Sequence, residues 1–200
     1  MNKKLTLKEI FVEAYKSYKK KDMKNAELQC YKILSIVPEH IDSLSLLATI
    51  CAINKNFVKA KELLKKANEA KPKNVTILNN LGTACKELGE LKESINYYDK
   101  VLKIDDKHVN ANYNLGLVFY ELKDLKKARA YLEKTVQIQI NYGMAYFSLG
   151  NLYVDLKEFE NAVSAYQKAI QVNPNIVGAH NNLGLVFRLL NDFNNAISCY

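Results

Sequence analysis

Apolar side chains recur along this chain at three- and four-residue spacing, so each stretch carries one apolar stripe and a run of amphipathic helices is predicted. Polar breaks interrupt the stripes at Lys55-Asn56, Gly89-Glu90, Lys123-Asp124, Lys157-Glu158 and Asn191-Asp192. Each break separates two stripes and reads as the tight turn inside a helical hairpin. Pro38, Pro72 and Pro174 then end three hairpins, because proline cannot continue a helix and disfavours helical geometry in the residue before it.

The hairpins repeat. Gly82, Gly116, Gly150 and Gly184 lie 34 residues apart, each directly behind a leucine, and the frame extends backwards onto Ala48 and Ala14. Units starting at Leu7, Ile41, Val75, Val109, Gly143 and Val177 give repeats 7–40, 41–74, 75–108, 109–142, 143–176 and a partial 177–200, one array over the whole chain. Position seven reads Glu13, Leu47, Leu81, Leu115, Leu149, Leu183, and position twenty reads Ala26, Ala60, Ser94, Ala128, Ala162, Ala196. Small residues at eight and twenty let two antiparallel helices approach closely. A glycine ahead of a helix invites a phosphate-loop reading, but these glycines fall mid-helix where alanine also stands, so they serve packing.

Six phased copies of this pattern resemble the tetratricopeptide repeat family across residues 7–200. The resemblance implies an all-α fold, a right-handed α-solenoid in which each helix–turn–helix unit completes its core with its neighbours. It also implies that the first helices form an inner wall, with positions two, five, six, nine and twelve turned away from the partner helix.

Composition changes the picture little. The chain is 48% hydrophobic with seven glycines and three prolines, as suits helices with short connections. No apolar run approaches the roughly 18 residues that span a bilayer. Lys8 and Glu9 interrupt the N-terminal stretch, which therefore reads as no signal peptide, and a cytoplasmic location is expected. Cys30, Cys51, Cys85 and Cys199 fall on apolar faces and read as small buried hydrophobes. Their spacing matches no zinc site, and His40, His108 and His180 are each solitary. No catalytic residue, cofactor or metal is expected.

The net charge of +8 comes from 29 basic and 21 acidic residues, and all but two of the basic ones are lysine. That invites a nucleic-acid reading. Many lysines, among them Lys59, Lys61, Lys65 and Lys66, lie on second helices and alternate with glutamate, so they are expected to form a solvated outer face. Lys19-Lys20-Lys21 in the first hairpin turn is the densest basic patch.

The inner wall carries the candidate site. Position six reads Val12, Leu46, Asn80, Asn114, Ser148, Asn182, with Asn79, Thr83, Asn110, Asn151 and Asn181 alongside. An asparagine amide offers a donor and an acceptor, so a ladder of them can hold a peptide backbone whatever its side chains. This ladder, with its Asn-Leu-Gly cores, resembles the repeat superhelix of the O-linked N-acetylglucosamine transferases and related plant and bacterial proteins. The resemblance implies that Asn80, Asn114 and Asn182 contact an extended polypeptide. A two-carboxylate clamp for acidic C-termini, also known in the repeat family, needs lysine at position five, where this chain has Phe11, Ser45, Asn79, Tyr113, Phe147 and Asn181. Arg188 is the one inward arginine, and Tyr113 and Tyr120 are the aromatic residues expected to bind.

The reading is a non-enzymatic scaffold that binds a peptide or partner protein through Asn80, Asn114, Ser148, Asn182, Tyr113, Tyr120, Asn79, Asn110, Asn151 and Arg188. One alternative is the substrate-docking region of a larger enzyme such as a glycosyltransferase. Another is nucleic-acid binding through the lysines. The degenerate first repeat is expected to cap the array. Tyr200 stops the last second helix early, which predicts an open end, continued in a longer protein or used for self-association.

Overall fold

The computed structural model describes residues 6–199. Tyr200 lies outside them, as do residues 1–5 of the N-terminal stretch. Twelve α-helices and no strand are found among the described residues. The odd-numbered helices are α1 (Leu7–Lys19), α3 (Ile41–Ile53), α5 (Val75–Glu87), α7 (Val109–Glu121), α9 (Gly143–Asp155) and α11 (Val177–Leu189). Their partners are α2 (Met23–Leu34), α4 (Phe57–Ala70), α6 (Leu91–Ile104), α8 (Leu125–Ile138), α10 (Phe159–Val172) and α12 (Phe193–Ser198).

The same turn recurs in every hairpin for a local reason. Lys21, Lys55, Gly89, Lys123, Lys157 and Asn191 all adopt a positive φ between 57° and 74°. The next residue caps the second helix. Asp22, Asn56, Asp124 and Asp192 each accept a hydrogen bond from the backbone N–H three residues on, which satisfies one of the orphan donors of a helix start. First helices are capped similarly by Thr6, His40, Asn74 and His108. The two junction histidines are therefore caps: the Nδ1 atom of each accepts from a backbone N–H, that of Ser43 at 3.2 Å for His40 and that of Ala111 at 3.1 Å for His108.

The chain divides between Ile104 and Asp105 into two compact units of three hairpins each. In the first unit α2 packs on α3 around a cluster that includes Ala14, Ala26, Cys30, Leu46, Leu47 and Ile50, and α4 packs on α5. In the second unit α8 packs on α9 and α10 on α11, around Leu132, Leu149, Leu152, Tyr166 and Leu183. Here α9 also touches both α7 and α11, so three first helices lie side by side as one wall.

The position-eight glycines are explained by what stands opposite. A Cβ on Gly82 would lie 2.6 Å from the Tyr98 ring, one on Gly150 2.3 Å from the Tyr166 ring, and one on Gly116 2.7 Å from Leu132 Cγ. Tyr98, Leu132 and Tyr166 occupy the same repeat position and are at most 1% exposed. The two earlier repeats have alanine at position eight and no tyrosine opposite, Ala14 with Cys30 and Ala48 with Leu64. Position twenty adds a bond in the third repeat, where the buried Ser94 hydroxyl donates to the Gly82 carbonyl at 2.8 Å. Each fully buried large side chain stabilises its unit by roughly 1.5–3 kcal/mol.

Cys30, Cys51 and Cys85 are buried free thiols. Burial pushes the Cys30 thiol up to about 11 and that of Cys85 to about 12. The expectation of a solvated outer face fails at Lys61. Its side chain is only 13% exposed and pairs with Glu90 and, at 2.6 Å, with Glu93, tying α4 to the start of the next second helix.

Candidate functional site

Asn114, Ser148 and Asn182 occupy the same position on α7, α9 and α11, the three neighbouring first helices of the second unit. All three are half-buried. Their chemistry differs, because the surroundings claim their polar atoms unequally. Among the described residues the Asn114 side chain has no hydrogen-bond partner, so both its donor and its acceptor are open to a ligand. The Ser148 hydroxyl donates to the Met144 carbonyl at 2.9 Å, which leaves it an acceptor. Asn182 donates its Nδ2 to Asn151 Oδ1 at 2.8 Å, and the same Asn151 oxygen accepts the Tyr166 hydroxyl at 2.7 Å.

That network corrects one expectation. Asn151 is not turned away from its partner helix but is anchored to Tyr166 on α10. The same position in the third repeat behaves alike, with Thr83 Oγ1 3.0 Å from the Tyr98 hydroxyl. In the third and fifth repeats position nine is therefore held by the partner-helix tyrosine.

The two expected tyrosines are also committed. The Tyr120 hydroxyl donates to Asp155 Oδ2 at 2.7 Å. Burial, and then the Asp155 carboxylate, hold its phenol above the usual range. Tyr113 meets the edge of Tyr142 with ring centroids 5.0 Å apart, and its hydroxyl lies 3.4 Å from Ser148 Oγ. Neither tyrosine hydroxyl is without a neighbour, and the Lys123 ammonium lies over the Tyr120 ring at 5.4 Å from its centroid. Asn110 is exposed at the start of α7.

In the first unit, Asn80 and Thr83 line a cavity of about 120 Å³ whose other walls include Ala48, Ala52, Phe57 and Ala60. That hollow has room for a small aliphatic group. Asn79 Nδ2 sits a long 3.5 Å from Asn80 Oδ1, and the side-chain oxygen of Asn79 is buried without a partner.

A hollow lying wholly in the second unit has a volume of about 710 Å³. Asn151, Tyr166 and Asn182 lie along it, with Tyr120 and Asp155 as further polar lining. Leu185, Leu189 and Phe193 supply apolar lining and are 48%, 58% and 60% exposed. Arg188 also lines it and, among the described residues, makes no ion pair and no side-chain hydrogen bond. Sequence reasoning finds Tyr120, Asn151, Asn182 and Arg188 but misses Asp155, Leu185, Leu189 and Phe193. The available signal is the pairing of Tyr120 with an acidic residue 35 positions later.

One cluster has metal-ligand character: Cys85 Sγ and the Glu90 and Glu93 carboxylates lie within 4.8 Å of one another. Lys61 donates to both carboxylates, and the raised thiol of Cys85 is protonated at neutral pH, so the cluster is built as an ion pair. Among the described residues no helix is long and apolar enough to cross a membrane.

Comparison with known proteins places this geometry. A family model described as "Tetratricopeptide repeat" matches residues 74–141, and one described as "TPR repeat" matches residues 150–191, together more than half of the chain. No curated protein sequence matches closely enough to count as a relative. Among solved structures, PilW, described as a widely conserved type IV pilus biogenesis factor, superposes with a TM-score of 0.87 at 21% identity, covering 98% of this chain and 91% of that one. MamA from Desulfovibrio magneticus RS-1 aligns at 26% identity with a TM-score of 0.71, covering 80% and 90%. YrrB, described as a TPR protein with an unusual peptide-binding site, aligns at 20% identity with a TM-score of 0.65, covering 85% and 88%. The identities to PilW and YrrB carry the fold alone.

Proposed function

Because the chain belongs to the tetratricopeptide repeat family, we propose that it is a non-catalytic interaction module that holds an extended peptide along its first helices. The observation that carries this reading is the row of half-buried polar residues at one repeat position on three adjacent helices, with the Asn114 amide free at both ends. A free amide bonds a peptide C=O and N–H together, and so recognises backbone rather than side chains. Each such bond contributes roughly 0.5–1.5 kcal/mol net, so affinity is modest and tolerant of sequence unless side-chain pockets add to it. In the second unit Asn114, Ser148 and Asn182 supply the polar contacts, with Asn110 and Asn151 beside them, and in the first unit Asn80 does so with Asn79 beside it. Tyr113 and Tyr120 supply ring surface, and Arg188 supplies charge.

The experiment is selection of a displayed random decapeptide library against the wild-type chain and against the variant with alanine at Asn80, Asn114 and Asn182. The reading expects peptides enriched by the wild type and lost by the variant. Equal enrichment by both moves the binding surface off the first helices.

A further inference from the structure

The hollow beside α9, α11 and α12 has side-chain preferences that a backbone ladder does not explain. Leu185, Leu189 and Phe193 place three exposed apolar side chains around about 710 Å³, room for a bulky apolar side chain together with the residues that flank it. Asn151 Oδ1, the Tyr166 hydroxyl and Asn182 Nδ2 bond to one another, which leaves Asn151 Nδ2 and Asn182 Oδ1 for the peptide backbone beside that side chain. Charge then decides what flanks it. The lining holds one acidic and one basic group: Asp155 is tied to the Tyr120 hydroxyl through Oδ2, whereas the Arg188 guanidinium is unpaired among the described residues and offers a planar fork to a carboxylate. The net charge of +8 acts in the same direction at longer range by drawing acidic segments towards the chain.

We infer that this hollow selects peptide segments in which a bulky apolar residue is flanked by acidic ones, with the apolar side chain against Leu185, Leu189 and Phe193 and a carboxylate on Arg188. The inference rests on the peptide-binding reading above and names the class of peptide. Backbone contacts at Asn114 hold any extended segment, and this pocket ranks them.

Three fluorescent Gly/Ser decapeptides test it, with Asp-Phe-Asp, Lys-Phe-Lys or Asp-Ala-Asp at the centre, titrated against the wild type and the variants Arg188→Glu, Leu189→Asp and Asn114→Ala. The wild type is expected to prefer Asp-Phe-Asp over Lys-Phe-Lys by roughly five- to tenfold, and Arg188→Glu to reverse that order. Leu189→Asp is expected to remove the advantage of Phe over Ala. Asn114→Ala is expected to weaken all three peptides while leaving their ratios in place. If Arg188→Glu leaves the ratios unchanged while Asn114→Ala still weakens binding, the pocket inference is overturned and the ladder reading stands. If Asn114→Ala changes nothing while Arg188→Glu reverses the order, the ladder fails and the pocket stands. No binding of any peptide by the wild type overturns both.

Discussion

Asn182 commits its amide donor to Asn151 Oδ1 at 2.8 Å, and this single bond makes two residues at the same repeat position unequal. Asn114 has no such neighbour. The residue 31 positions before it, where Asn182 has Asn151, is Thr83, whose hydroxyl is taken up by the Asn79 carbonyl and the Tyr98 hydroxyl. Asn114→Ala is therefore expected to weaken peptide binding by about fivefold to tenfold, the worth of one or two net hydrogen bonds. Asn182→Ala is expected to cost less than half of that in free energy. Fluorescence titration with one selected peptide checks the order, and equal losses would contradict it.

Gly150 and Tyr166 are matched in size, and that match is expected to appear as coupling. Gly150→Ala places a methyl 2.3 Å from the Tyr166 ring and should destabilise the chain by about 1–3 kcal/mol. Combining it with Tyr166→Leu recreates the alanine–leucine pair of the second repeat, Ala48 with Leu64. The double variant should lose less than the sum of the singles in urea denaturation, despite the lost Tyr166 to Asn151 hydrogen bond. Additive losses would mean that the two positions do not sense each other.

The turn position has a cost that varies with residue type. Lys55 holds a φ of 57°, where a Cβ is strained, while Gly89 holds a φ of 74° with no atom within 4 Å of where a methyl would stand. Lys55→Gly is expected to raise stability by a few tenths to about 1 kcal/mol, and Gly89→Ala to lower it by about 1 kcal/mol. Thermal unfolding monitored by circular dichroism reads both, and a rise for Gly89→Ala would contradict the account.

How much of this was legible in the sequence follows from where each partner stands. The repeat frame was legible because Gly82, Gly116 and Gly150 answer a steric demand within their own hairpins. The turns were legible because polar pairs such as Lys123-Asp124 interrupt apolar stripes. The network of Asn151 was not, since its partners lie 15 and 31 residues away on two other helices. Lys61 misleads for the same reason: its local pattern is that of a solvated lysine, and only the approach of Glu90 and Glu93 from the next hairpin buries it.

That ion pair gives a pH signature. The hydrogen bond from Lys61 holds the Glu93 carboxyl below its usual range. A depressed carboxyl contributes stability that is fully present above its unfolded value, about 4.3, and is lost as pH falls through the lower folded value. Glu93→Gln should therefore be less stable than the wild type at pH 7, with the difference shrinking as the pH drops below about 4. Urea midpoints measured across that range check it, and a constant difference would remove Glu93 from the acid response.

The most direct test of backbone recognition watches the side-chain amide of Asn114 itself. A uniformly ¹⁵N-labelled chain is titrated with a decapeptide recovered by the library selection, and the Asn114 and Asn182 side-chain NH₂ resonances are followed. The account predicts a large shift of the Asn114 resonances on binding and a smaller one for Asn182, whose donor is already engaged. Asn114 resonances that stay in place while the peptide saturates the chain would contradict it.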